Sequence, residues 1–258
     1  MYDLHAHILP GVDDGAKTHE DTIEMARVAA EQGTKVILTT PHRKDITENW
    51  SVQHIQGLLG EINDKLKSEG IDLTMLQGME NHLDFDLPDE IANGRALPMN
   101  GTQYILVEMP FFGRPNYIED VLFRIQVQGL IPVLAHPERI EAFQRDPALL
   151  ASFVERGMLS QITAGSVLGY FGGKAQKFTN ELLRRRLAHI IASDTHFPGG
   201  PRSPKLVPGM EAAAKIVGME RARAMVVDTP KAILDGLPLE LEPPLEASQT
   251  KRRWQFWR

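Results

Sequence analysis

The chain contains no cysteine. That excludes disulfides, thiolate zinc sites and every thiolate mechanism, and it fits a reducing compartment. No apolar run approaches the roughly 18–20 residues that a membrane span needs. Positive charge is not in excess either. With 28 Lys and Arg against 34 Asp and Glu, the formal net charge is -6, so nothing global attracts nucleic acid. Asp3 and two histidines stand where the basic and then apolar part of a secretion signal would lie. Short repeats and low-complexity segments are also missing. These absences lead us to expect a soluble, cytoplasmic protein. Its 258 residues, 42% of them hydrophobic, suffice for one large domain or two small ones.

What is present is an alternation of strand-like and helical stretches. Thr18 and Asp21 form a capping box, and Ile23, Ala26 and Ala30 follow on one helix face up to Gly33. Thr34–Thr40 is β-branched and reads as a strand. A helix is predicted over 51–67, a strand over Leu73–Met79, a short helix near Pro88 and a strand over Tyr104–Val107. Asn116 looks like the cap of the next helix, which closes at Gly129. Strands are predicted over Ile131–Ala135, Leu159–Thr163 and His189–Ala192. Between them lie a helix opened by Asp146-Pro147 and a long one reaching Arg186. Two or three short helices fill 209–237.

This recurring unit fits a parallel barrel with helices outside, and periodicity alone fits an open doubly wound sheet as well. Polar residues decide between them. His5, His7, His42, Glu80, Glu108, His136, Asp194 and His196 all fall just past a strand's C-terminal end. In a barrel those ends converge on one mouth, whereas an open sheet spreads them along a line.

The first of these residues are the most telling. His5 and His7 sit two apart at the end of an apolar stretch, so an extended chain aims both to one face. Pro10-Gly11 turns the chain, and Asp13-Asp14-Gly15 brings back a carboxylate. Either aspartate reaches a metal by spacing alone. Nitrogen and oxygen donors together suit Zn, Mn or Fe better than Ca or Mg.

The segments DLHAHILPGVDDG (Asp3 to Gly15), TTPH (Thr39 to His42), GME (Gly78 to Glu80), VEMP (Val107 to Pro110), LAHPER (Leu134 to Arg139), ITAGSVLG (Ile162 to Gly169) and ASDTH (Ala192 to His196) are jointly specific. In them the chain resembles the polymerase and histidinol phosphatase (PHP) superfamily. Within it, the resemblance is to the bacterial manganese-dependent protein tyrosine phosphatases of capsule and exopolysaccharide systems. That likeness implies a distorted (β/α)7 barrel over residues 1–238, with a trinuclear site at the C-terminal mouth of the strands. It assigns His5, His7, Glu80 and Asp194 to one ion, Glu80, Glu108 and His136 to a second, and Asp14, His42 and His196 to a third. Mn is the expected metal, and Fe, Co and Zn accept the same donors. Arg139 and Arg202 would hold the phosphate. The run from Phe197 to Arg202 departs from the family's usual loop, which leaves Arg202 less firmly assigned than Arg139.

The implied substrate is phosphotyrosine in a protein, and the implied partner is a membrane-linked bacterial tyrosine kinase. The alternative within the superfamily is a small-molecule phosphatase of the histidinol-phosphate type. A barrel amidohydrolase and a non-catalytic kinase regulator are the rivals outside it. The remaining histidines have bland readings: His19 and His54 on helix faces, His189 structural, and His82 behind Glu80 but outside the ligand set. An oligomer is compatible with the sequence.

Residues 239–258 form a separate tail. Its end, Lys251-Arg252-Arg253-Trp254-Gln255-Phe256-Trp257-Arg258, suits the inner face of an anionic membrane or an acidic partner. A frayed end, or an aromatic tail packed on its own barrel, is the bland reading. Truncation after Pro243 should weaken co-sedimentation with anionic vesicles, and undiminished binding excludes the interfacial reading.

Overall fold

In the computed structural model, residues 1–246 are described. The Lys251–Arg258 stretch singled out above lies outside them. Eight parallel strands run in chain order: β1 (Tyr2–Ala6), β2 (Val36–Thr39), β3 (Thr74–Gln77), β4 (Asn81–His82), β5 (Tyr104–Glu108), β6 (Ile131–Ala135), β7 (Leu159–Thr163) and β8 (Ile190–Ala192). β1–β2–β3 pair in one group and β4–β5–β6–β7–β8 in another. β3 and β4 are two pieces of one stave, broken at Gly78-Met79-Glu80. β3 pairs back to β2 and β4 forward to β5, while a bridge between His42 and Glu80 spans the break.

The ring closes between β8 and β1. Asp194 N–H donates to His5 O and His7 N–H donates to Thr195 O, both at 2.9 Å. That contact rules out the open sheet and leaves a barrel of seven staves. Its closure is uneven. At the other end of the seam, Tyr2 N–H and Ile191 N–H donate to Val226 O and Met225 O, so Met225-Val226 wedges between the two strands.

Alternating side chains divide inside from outside. Leu4, Leu38, Leu106, Val133 and Ile190 fill the barrel, whose floor includes Ile233 and Leu234 of α12 (Asp228–Leu234). Ile105, Val107 and Leu134 face outward to α5 (Ile118–Val127) and α7 (Pro147–Glu155), whose Leu149, Leu150, Phe153 and Val154 are buried as expected. The register of β1 on β2 shifts between Asp3 and Ala6. This irregularity lets Leu4 point into the core while His5 and His7 still reach the mouth.

Local signals explain most helix ends. Thr18 and Asp21 make the capping box of α1 (His19–Glu31), Ser51 accepts from His54 N–H at the start of α3 (Val52–Ser68), and Asp146 caps α7. Asn116 does not cap α5. The cap position is Tyr117, with no side-chain bond to the helix. α2 (Arg43–Asn49) was not expected, because its seven residues show only Arg43 and Ile46 buried and hence no apolar stripe. α4 is Leu87–Ala92 and α6 is Glu141–Arg145. The long helix expected to reach Arg186 is two pieces, α8 (Ala164–Val167) and α9 (Gly173–Arg184), and α9 stops before Arg186, which turns left-handed at φ 59°. α10 (Val207–Val217) and α11 (Met219–Ala224) complete the set. No helix among the described residues is long and apolar enough to cross a membrane.

His189 is structural, at the foot of the barrel. It is 7% exposed, and its Nδ1 accepts from Ser160 N–H at 3.0 Å, joining β8 to β7. Burial first, and then the charge of Arg221, push its pKa down to about 4. The sign follows from linkage. The unfolded chain binds a proton near pH 6.5 that the folded chain refuses until near pH 4, so stability falls as pH drops through that window. His189→Asn keeps an acceptor for Ser160 and removes the titration. Its stability should therefore fall less between pH 7.5 and 5 than wild type's, by on the order of 1–2 kcal/mol in urea unfolding.

Candidate metal centre

Every expected ligand lies at the mouth. His5 and His7 come from the end of β1, and Asp14 from the loop that follows. His42 lies after β2, Glu80 between β3 and β4, Glu108 at the end of β5 and His136 after β6. Asp194 and His196 follow β8. All are buried except His42, which is half-buried, and Asp14, which is exposed. The 10–15 loop folds hard against β1. A Cβ on Gly15 would stand 1.9 Å from His7 O, so only glycine fits there.

Hydrogen bonds behind the histidines set which nitrogen faces the mouth. His5 Nδ1 lies 2.8 Å from Gln161 Oε1, and the Gln161 amide is oriented because its Nε2 donates to Ile162 O. His7 Nδ1 lies 2.7 Å from Asp13 Oδ2, and His196 Nδ1 lies 3.1 Å from Asp194 O. Each of these partners is an acceptor, so each Nδ1 carries a hydrogen and each Nε2 lone pair is left for a proton or a cation on the mouth side. Those lone pairs meet unfavourable company. His5 Nε2 and His7 Nε2 are 3.1 Å apart, each is 3.3 Å from a Glu80 oxygen, and His196 Nε2 is 3.2 Å from Asp14 Oδ1. Acceptors facing acceptors repel unless a proton or a cation lies between them. The donors therefore fit divalent ions.

The same crowding governs protonation. For His7 and His136, burial opposes charge, but hydrogen bonds to Asp13 and Glu80, and to Glu108 and Glu80, win and raise the pKa to about 9 and about 10. His42 rises to about 11 against its burial, through Asp14 and Glu80. The hydrogen bond from His196 holds Asp14 well below the usual carboxylate range. Glu80 and Asp194 are also held low: burial pushes each up, and the facing histidines outweigh it, His5 foremost. A pocket this eager for protons is equally eager for other cations.

Seven of the nine expected donors fall into three overlapping sets: His7, Asp14, His42 and His196; His5, His7 and Glu80; and His42, Glu80 and Glu108; His136 and Asp194 fall in none of them. His136 Nε2 reaches Glu80 Oε1 at 3.0 Å and Glu108 Oε1 at 3.5 Å. Glu80 lies at the centre, in keeping with a bridging role. His7 and His42 each join a second set, which the resemblance had not assigned. Asp13 and Asp14 separate clearly here. Asp13 turns back to His7 Nδ1, Gly15 N–H and His42 N–H, and Asp14 faces the mouth. His82 Nδ1 lies 3.3 Å from Glu108 Oε2, behind the cluster. Gln161 was missed by sequence reasoning, since no spacing pattern marks a glutamine in a strand as a partner of a distant histidine.

Two ligands sit on strained backbone. His136 (φ 31°) and Asp194 (φ 52°) are non-glycine residues in the left-handed region, which β6 and β8 enter as they end. Such conformations cost about 1–3 kcal/mol each and persist where the surroundings impose them. Asp194 also gathers both arginines: Arg139 Nη1 is 2.7 Å from Oδ2 and Arg202 Nη2 is 2.8 Å from Oδ1. Arg202 is further fixed through its carbonyl, which accepts from His196 N–H and from the Thr195 hydroxyl.

Residues 1–235 match the family described as capsular polysaccharide synthesis, CpsB/CapC. The chain belongs to this family. It is 40% identical over 196 residues to the tyrosine-protein phosphatase YwqE of Bacillus subtilis, spanning 76% of this chain and 77% of that protein. Crystal structures of YwqE and of CpsB from Streptococcus pneumoniae, described as unique metal-dependent tyrosine phosphatases, include a chain that superposes with a TM-score of 0.88 at 35% identity, over 96% of this chain and all of that one. An adenine deaminase from Arthrobacter aurescens, at 10% identity and a TM-score of 0.52, over 91% of this chain and 97% of that one, shares the fold alone.

The acceptor behind His5 supplies a test. Gln161→Leu should lower the affinity for Mn(II) roughly 10–100-fold in a competitive chelator titration, with far-UV circular dichroism unchanged. Wild-type affinity would show that His5 needs no such support.

Proposed function

We infer that this CpsB/CapC chain is a metal-dependent tyrosine-protein phosphatase of capsular polysaccharide synthesis. The observation that carries this reading is the set of imidazole Nε2 atoms and carboxylates meeting beside two arginines. His5, His7, Asp14, His42, Glu80, Glu108, His136, Asp194 and His196 would hold the ions. Divalent ions bound there supply Lewis acidity, which neutralises phosphate charge and lowers the pKa of water.

The chain's own residues do the rest. Arg139 is pinned at one end by Asp194, which leaves its other N–H groups to grip phosphate oxygens, and Arg202 does the same from the loop after β8. A tyrosine leaves as a phenolate whose conjugate acid has a pKa of about 10, so a strong general acid is dispensable. With no cysteine in the chain, the phosphocysteine route is closed.

The finer reading is that the native metal is manganese and that the substrate is the tyrosine-phosphorylated segment of a membrane-linked bacterial kinase, met in the cytoplasm. An all nitrogen and oxygen donor set supports manganese, with Fe, Co and Zn as the other metals it accepts. The capsule-synthesis family and the half-open Asp14–His42 side of the mouth support a protein substrate.

Chelation should abolish phosphotyrosine-peptide turnover, and Mn(II) should restore it. Arg139→Met, with its metal content intact, should lower kcat/KM by about 10²–10³-fold, the scale of losing one preorganised donor. Turnover that survives chelation, or a preference for alkyl phosphates over phosphotyrosine, overturns the assignment.

A further inference from the structure

Aromatic rings crowd the phosphate-gripping end of the mouth. Phe111 stacks on His136 with centroids 5.3 Å apart and 13° between planes. The Arg139 guanidinium lies over both Phe111 and Phe171, 5.0 and 4.5 Å from the two ring centroids. Gly165 leaves room for this: a Cβ there would come within 2.9 Å of Phe171 Cε2 and 3.3 Å of Pro201 O. Phe197 follows His196 directly, with ring centroids 6.3 Å apart.

Packing explains Phe111 and Phe171, which are half-buried and hold the Arg139 plane. It does not explain their neighbours. Phe197 is 50% exposed and Phe112 is 83% exposed. Apolar rings turned to water on the loops that border a charged pocket gain nothing from the fold. Nor are their loops loose. Glu141 N–H donates to Phe111 O and Gly113 N–H to Glu141 Oε2, both at 3.0 Å, and the loop after Phe197 returns through His196 N–H to Arg202 O at 3.0 Å. The backbone that carries the rings is thus held in place before any ligand arrives.

A phosphate monoester held by Arg139 must point its ester group out of the mouth, toward these loops. We propose that Phe112 and Phe197 are specificity-determining residues that clasp the phenyl ring of phosphotyrosine, while Phe111 and Phe171 position Arg139. The proposal rests on the phosphatase reading and adds the reason for preferring aryl over alkyl esters. Ring faces and edges attract another ring and offer little to a short alkyl chain.

Two ligands that differ only in the ring test it. Phenylphosphonate and methylphosphonate share one head group and neither is hydrolysed. Calorimetric titration of the Mn(II)-loaded full chain should find the phenyl ligand about ten-fold tighter. Phe112→Ala/Phe197→Ala should bring the two affinities within about two-fold, and Phe112→Tyr/Phe197→Tyr should restore the gap. Phe171→Ala should weaken both ligands together and leave their ratio intact, because it acts through Arg139. Equal wild-type affinities, or a ratio unmoved by the double alanine variant, overturn the clasp even if phosphotyrosine peptides are turned over. Preferential phenylphosphonate binding without turnover of phosphotyrosine peptides overturns the phosphatase reading and leaves an aryl-recognising mouth.

Discussion

The interaction on which the rest depends is a repulsion. Imidazole nitrogens whose hydrogens are committed on the far side face each other and face carboxylates at about hydrogen-bond distance, so they repel unless a proton or a cation lies between them, and buried backbone and side chains prevent them from turning away. Gln161, Asp13 and the Asp194 carbonyl each accept the hydrogen on the far side of a ring, so no tautomer shift relieves the conflict without breaking a buried hydrogen bond. Isolated buried charges are among the costliest features a fold can carry. The barrel tolerates this cluster because cations and protons satisfy it, which couples the folded mouth to cation binding.

Closing seven staves into a ring brings their ends together, and the ring's departures from regularity put the ligands where they are needed. The register shift in β1 swings His5 and His7 past Leu4. The break between β3 and β4 leaves Glu80 at the centre, bridged to His42. The left-handed turns at His136 and Asp194 redirect two strands as they end. The opposite end of the barrel is filled differently. There a cavity of about 680 Å³ lies among Arg186, His189, Arg221 and the 240–242 segment. Its lining mixes arginines with glutamates, unlike the concentrated donors of the mouth.

Much of this was legible in the sequence because strand-then-helix alternation and polar strand ends are local signals. The β6 and β7 bounds, the α1 capping box and the Asp146 cap follow directly from residue types. Other features depend on partners far along the chain. Nothing in Gln161 marks it as the support of His5, 156 residues away. The choice between Asp13 and Asp14 came from the resemblance, since spacing allowed both, and the fold separates them by turning one back onto His7. The wedge of Met225-Val226 into the seam, and α2 with its two buried side chains, carry no periodic pattern at all. No spacing signal marks Phe171, which folding lays on Arg139.

Asp194 links the two halves of the chemistry. One of its oxygens faces Arg202 and lies 3.6 Å from His5 Nε2, and the other faces Arg139. A cation drawing on that carboxylate would change how firmly both guanidinium groups are tethered, so in the function proposed above the ion pocket and the phosphate grip share a single side chain. Arginine suits this arrangement better than lysine. Its planar fork gives one N–H to Asp194 and keeps further donors, and the rings of Phe111 and Phe171 hold that plane in register. The aromatic neighbours are therefore part of the electrostatic design: they fix the direction of a positive charge already anchored by a buried carboxylate.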